Sequence, residues 1–190
     1  MSLRRLRAPA FVVVVAIACT KTAPPASDAA VVERAQAALT PYQGALKAEL
    51  GRALAPPDGA TPDVAAAISV CADRAPKLAR EHSQGGARVG RSSAKLRNPD
   101  NAAPTWLTPM LADFAKLPSG SHEHRVVALD GGRWGYAEPI WIQPACLTCH
   151  GEALAPAVDE ELRRRYPSDA ARGFHVGELR GAFWVELAPP

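Results

Sequence analysis

Of the 190 residues only two are methionine, Met1 and Met110, and only four are cysteine: Cys19, Cys71, Cys146 and Cys149. No second Cys/His pair stands at ligand spacing from the close pair Cys146 and Cys149, which removes the usual four-ligand zinc site. No apolar run is long enough to cross a bilayer. That of Ala8 to Ala18 falls well short of the about 20 residues a spanning helix needs. Nor is there a real excess of charge. Basic residues number 22 against 19 acidic, but Arg4, Arg5 and Arg7 precede that apolar run and no acidic residue does. Beyond it the chain therefore carries 19 of each. Nucleic-acid binding loses its electrostatic support.

What is present begins with an export signal. Met1 to Arg7 is a basic stretch and Ala8 to Ala18 a short apolar one, the pattern of a cleaved leader over residues 1–18. Ala16-Ile17-Ala18-Cys19 resembles a bacterial lipoprotein box, with Ala16 where such boxes usually carry Leu. Cys19 is then the lipidated first residue of the mature chain. The alternative is a plain signal that leaves Cys19 free and the protein soluble outside the cytoplasm. A free exposed thiol there is an oxidation liability, which favours lipidation. Residues 19–30, small and Pro-rich, read as a tether to the periplasmic side of a membrane, and residues 31–188 as one domain.

Cys146-Leu147-Thr148-Cys149-His150 is a Cys-x-x-Cys-His run, the attachment signature of c-type haem. Two thiols one turn apart bind one edge of the porphyrin, and the adjacent His150 reaches the iron. A thioredoxin-like redox pair has no need of His150, and no βαβ pattern surrounds it. With Cys19 given to the lipid and two cysteines to the haem, Cys71 is left without a disulfide partner.

The order of elements predicts an α+β fold. Val31, Ala35, Leu39, Tyr42, Leu46, Leu50 and Leu54 recur at helical spacing, with Pro41 expected to kink or split that helix and Thr40 to cap its second half. A second helix is expected from an N-cap at Thr61 to about His82, with Val64, Ala67, Ile68, Cys71, Ala75 and Leu78 on its apolar face. Then follow a short strand (Ala87 to Arg91), a short helix (Ala103 to Lys116) and two strands (His122 to Leu129, Trp134 to Ile142) joined at Asp130-Gly131-Gly132. A charged helix (Val158 to Tyr166) and a last strand (Gly181 to Leu187) close the chain. The motif lies late, with no Met after it, which excludes the small His/Met cytochromes. Pro139, Pro144 and Gly151 oppose the long last helix of the four-helix cytochromes.

Several blocks resemble a bacterial family of PAS-like domains with a single c-type haem, found in periplasmic cytochromes and sensor ectodomains. They are Ala66 to Cys71 with Ala75-Pro76; Gly90 to Asn101 through Trp106; Pro144 to Gly151; and Tyr166 to Ala171 with Gly173, Gly177 and Leu179 to Ala182. Leu107 stands where the family often has Glu, and Glu178 where it often has Asp. The resemblance implies a PAS-like antiparallel sheet packed by N-terminal helices. It also implies one haem held by His150 on one side and Cys71 on the other. The residues agree: Cys71 is central on an apolar helix face and is the one thiol without a use. An inert buried cysteine is the bland alternative. The second choice for that ligand is His175, in a Gly-rich stretch after the motif; Met110, His122, His124 and His82 are weaker, since each has an ordinary structural explanation.

Haem propionates need cations, and Arg91, Lys95 and Arg97 are the candidates, against the reading of a solvated basic loop. The function this predicts is one-electron transfer to an unidentified redox protein, with the membrane touched only through the N-terminal lipid. A haem-based redox or gas sensor is the alternative. A peroxidase-type enzyme is disfavoured, because no acid–base pair is identifiable. A Cys19→Ser chain is expected to leave the membrane fraction on cell fractionation; complete retention there contradicts the lipid anchor.

Overall fold

The computed structural model describes residues 28–55 and 61–189. The leader of residues 1–18, Cys19 and the tether up to residue 27 lie outside the described residues. Helix α1 runs Asp28–Leu54, so the last part of the expected tether belongs to the domain. It is followed by α2 (Val64–Ser69), a π-helical segment Val70–Arg74 and α3 (Ala75–His82). Then come β1 (Ala87–Ser92), α4 (Thr108–Phe114), β2 (Arg125–Leu129), β3 (Arg133–Trp141), α5 (Leu147–His150), α6 (Pro156–Arg165) and β4 (Leu179–Leu187). Among the described residues no helix is long and apolar enough to cross a membrane.

The four strands form one antiparallel sheet in the order β1-β4-β3-β2. β2 and β3 form the hairpin signalled by Asp130-Gly131-Gly132, with both glycines at positive φ. The last strand enters between the first and third, so the C-terminal end of the chain locks the sheet together. One face takes α1 and α3: Val31, Ala35, Leu39, Tyr42, Leu46 and Leu78 pack with Val89, Tyr136, Val185 and Leu187. The other face takes α4: Leu107, Leu111 and Phe114 pack with Ala137, Ala182 and Trp184. β4 supplies both cores by alternation, Phe183, Val185 and Leu187 to one and Ala182 and Trp184 to the other. Gly90 permits this, since a Cβ there would overlap the Trp184 indole. The architecture is α+β, as predicted.

Some boundaries differ from the sequence reading. α1 continues through Pro41 as one helix. The proline denies one hydrogen bond, but the buried stripe from Val31 to Leu46 is held against the sheet on both sides of it. The cap of α2 is Asp63 rather than Thr61: its carboxylate accepts from the Ala66 N–H at 2.8 Å. β2 begins at Arg125, leaving His122 and His124 outside the strand. The His124 ring stacks on Tyr136 at 5.4 Å between centroids.

One carboxylate crosses the sheet. Buried Glu186 accepts from Arg88 at 2.7 Å, from the Trp106 indole N–H at 2.8 Å and from Arg133 at 3.3 Å. Glu186→Ala leaves these donors without their acceptor. It is expected to cost about 2–3 kcal/mol in urea unfolding; a loss under about 0.5 kcal/mol contradicts the assignment.

Candidate haem site

The segment between β3 and β4 carries the Cys-x-x-Cys-His run. A 3-10 turn, Pro144–Cys146, leads into the single turn of α5, so Cys146, Cys149 and His150 stand on one short helical coil. Gly151 ends it at once; a Cβ there would lie 2.8 Å from the Leu147 carbonyl oxygen. The chain then returns alongside. The Phe174 N–H donates to the His150 carbonyl at 3.0 Å, and the Gly173 N–H to that of Gly151 at 3.1 Å.

His150 is fixed by its own ring. Nδ1 lies 2.8 Å from the Ala171 carbonyl oxygen, which can only accept, so Nδ1 carries the proton and Nε2 keeps its lone pair. Burial, then the positive charges of Arg180 and Arg97, push its pKa down to about 3, against the Ala171 hydrogen bond. The ring is therefore a neutral imidazole at any ordinary pH, the form that binds a metal. Phe174 meets it edge-on at 6.1 Å.

Arg97 and Asp169 hold this loop in place. Their side chains are 7% and 2% exposed and 3.0 Å apart. Arg97 also donates to the carbonyls of Cys149 at 2.6 Å and Ala171 at 3.0 Å. Asp169 accepts from Arg97 Nε, the Ala171 N–H and Arg172. Burial alone would raise the Asp169 carboxyl; Arg97, Ala171 and Arg172 hold it below the usual range instead. Arg97, expected at a propionate, thus has its guanidinium committed to the protein. It fixes the backbone under Cys149 and the carbonyl that orients His150.

The other cations divide differently. Lys95 is exposed, its Nζ 4.7 Å above the Phe174 ring. Arg180, which the sequence reading quoted without a role, lies over the same ring at 5.6 Å. Burial, and then Arg91 and Arg97, lower its pKa to about 10. That crowding marks a region with more positive charge than its own carboxylates balance. Arg91 turns instead towards Cys71, with Nη2 3.4 Å from the Cys71 carbonyl oxygen.

Cys71 is half-buried and unbridged, as are Cys146 and Cys149. It lies in the π-helical segment, a widened turn of the kind often found at functional positions. Cys149 packs against the cluster formed by Ile68, Val158, Leu162 and Tyr166, with Ala72 beside it. The Cys71 and Cys149 thiols lie within electrostatic range of one another. Burial first, and Cys71 among the other groups, raise the Cys149 pKa. Tyr166 also feels Cys71; burial and that thiol push its hydroxyl up to about 12. The π-helical segment and the Cys-x-x-Cys-His turn therefore converge, with Cys71 and Cys146 both within electrostatic range of Cys149.

The remaining candidates are placed elsewhere. His175 lies on the surface between Glu152 and Glu178, at 3.5 and 3.4 Å. Met110 packs with the α4 core. His122 is exposed, and His82 lies 6.3 Å from the Tyr42 ring. Among the described residues no three His, Cys, Asp or Glu side chains come together as a metal-ion site.

The model of the Tll0287-like family matches residues 21–188. The chain belongs to the Tll0287-like family. A crystal structure of a cyanobacterial heme-protein, Tll0287, has the same fold, with a TM-score of 0.64. It shares 23% identity over 86% of this chain and 97% of its own. No curated protein sequence matches the chain. The Tll0287-like match spans both the helix bearing Cys71 and the loop bearing His150, so neither is a local addition to the fold.

The His150 environment has a pH signature. Its ordinary pKa is 6.5 and its folded value about 3, so between these the unfolded chain takes up a proton that the folded chain refuses. Stability of the haem-free protein is expected to fall as pH drops below about 6.5, by roughly 1.4 kcal/mol per unit. Asp169 adds its own loss only lower, below its ordinary value of 3.8. Urea unfolding from pH 7 to 4.5 measures the slope, and His150→Gln should flatten it. An equal slope in both proteins contradicts the assignment.

Proposed function

We propose that this protein is a one-electron carrier holding a single c-type haem in a PAS-like domain. The family membership and the heme-protein neighbour of the same fold support a haem cofactor. The observation that carries the rest is His150. It is a neutral imidazole with Nδ1 donated to a backbone carbonyl and Nε2 left for a metal, directly after two unbridged thiols on the same turn.

The residues present fit the group. Cys146 and Cys149 would hold the group covalently, and His150 and Cys71 would bind its iron. Lys95 and Arg180, both over the Phe174 ring, would be the partners for the propionates. Bound there, haem supplies one iron that exchanges a single electron. The protein sets the terms of that exchange. The Arg97–Asp169 pair and the Ala171 carbonyl hold His150 in one tautomer and orientation. An anionic sulfur from Cys71 favours the ferric state and lowers the potential. Iron held by both His150 and Cys71 would leave no open site for a substrate, which favours a carrier over an enzyme. The exported, Cys19-anchored location places the carrier on the periplasmic side of a membrane, where it would meet its redox partner.

A redox or gas sensor is the second reading, favoured by one observation: Cys71 sits in a π turn, a segment suited to rearrangement. Redox titration of the purified holoprotein with and without carbon monoxide separates the two. A carrier cycles reversibly by one electron and its reduced form ignores the gas; avid binding by the reduced form supports the sensor instead. Covalent attachment is expected to survive extraction into acidified organic solvent in the wild type and to fail in Cys146→Ser/Cys149→Ser. Haem that extracts freely from the wild type contradicts the c-type assignment.

A further inference from the structure

The helix that carries Cys71 has a defect in its hydrogen-bond ladder at that residue. Over Val70–Arg74 the turn widens, and the Ala75 N–H goes to the Val70 carbonyl. In an α turn that N–H would have served Cys71. In a π turn the donor to Cys71 is the N–H of residue 76. Residue 76 is Pro76, which has none. The Cys71 carbonyl is therefore denied a donor by both kinds of turn. A donor comes instead from another element: Arg91 Nη2, on β1, at 3.4 Å. The Arg91 guanidinium also lies within range of the Cys71 thiol and of the Tyr42 and Tyr166 hydroxyls.

This matters for where the thiol points. A π turn holds one residue more than the α turn it replaces, and the extra residue can shift along the helix. Each such shift turns the residue it passes by about 100° around the axis. For Cys71 that rotation removes the thiol from the site. Something must fix the extra residue at this position, and the bond from Arg91 to the Cys71 carbonyl, which neither Ala75 nor Pro76 serves, does so. We propose that Arg91 is a positioning residue for Cys71, gripping the carbonyl that Pro76 leaves free and so holding the π turn in the register that aims the thiol. Arg91 thereby serves the ligand rather than a propionate. The inference rests on the reading that Cys71 binds the haem iron.

The test uses the full-length holoprotein as wild type, Cys71→Ala, Arg91→Ala, Arg91→Lys and Arg80→Ala, the last an exposed arginine on the same helix. Ferric EPR reports the axial ligands, the binding rate of added imidazole reports how firmly the sixth position is held, and circular dichroism reports folding. Cys71→Ala is expected to lose the thiolate-type low-spin signal. Arg91→Ala is expected to show a mixture of signals and to bind imidazole roughly tenfold faster, the loss of one hydrogen bond from a charged group. Arg91→Lys, which keeps a donor, is expected to fall between Arg91→Ala and wild type, and Arg80→Ala to match wild type. A folded Arg91→Ala with the wild-type signal and a binding rate within about twofold of wild type overturns the proposal. Should Arg91→Ala fail to fold, Arg91→Lys decides: wild-type spectra with an unchanged binding rate overturn it. An unchanged signal in Cys71→Ala overturns the ligand reading itself, and the positioning role with it.

Discussion

The buried pair of Arg97 and Asp169 is the constraint on which the site depends. Two charges taken out of water are costly unless every hydrogen-bonding position is filled. Here they are filled by parts of the site itself: the Cys149 and Ala171 carbonyls on Arg97, the Ala171 N–H and Arg172 on Asp169. The pair therefore specifies geometry more than it adds stability. It welds the returning chain at Ala171 to the turn bearing Cys149, and the Ala171 carbonyl then dictates which nitrogen of His150 carries the proton. Removing either charge leaves the other buried and alone, and the tautomer of His150 loses its guide.

The sheet explains how residues so far apart in sequence share one region. Cys71 belongs to the N-terminal helices and His150 to the excursion between β3 and β4. β4 pairs with β1 on one side and β3 on the other, so it joins the strand that follows the Cys71 helix to the strand that precedes the motif. Arg91, near the end of β1, reaches back to the Cys71 turn, while Arg180, at the start of β4, reaches Phe174 beside His150. Two adjacent strands thus present one cation to the Cys71 turn and another to the Phe174 ring beside His150. The exact position of the Cys71 thiol is left to a single weak point in its helix, where a proline has removed the donor that regular structure would provide.

Much of this was legible in the sequence, and the reasons are local. The buried stripe of α1 and the Asp130-Gly131-Gly132 hairpin depend on periodicity and turn chemistry, which a sequence displays directly. The five-residue motif carries its chemistry in its spacing. Misplaced features were those decided by tertiary contact. Pro41 does not split α1, because packing on both sides outweighs one lost bond. Thr61 and Asp63 are both good caps, and only the chain path selects Asp63. Arg97 looked like a free cation because its partner, Asp169, lies 72 positions away. Arg180 stood in plain view beside Gly181, but nothing in its neighbours revealed that Arg91 and Arg97 would crowd it. The π turn at Cys71 has one visible sign, Pro76, and that sign alone does not distinguish a widened turn from a helix start.

The central claim is that one sulfur and one imidazole hold the iron from opposite ends of the chain. Iron X-ray absorption on the ferric holoprotein tests it most directly, because the scattering of sulfur and nitrogen differs. The account predicts a single sulfur in the first shell beside the porphyrin and His150 nitrogens, and its loss in Cys71→Ala. A first shell of nitrogen and oxygen alone in the wild type would contradict it.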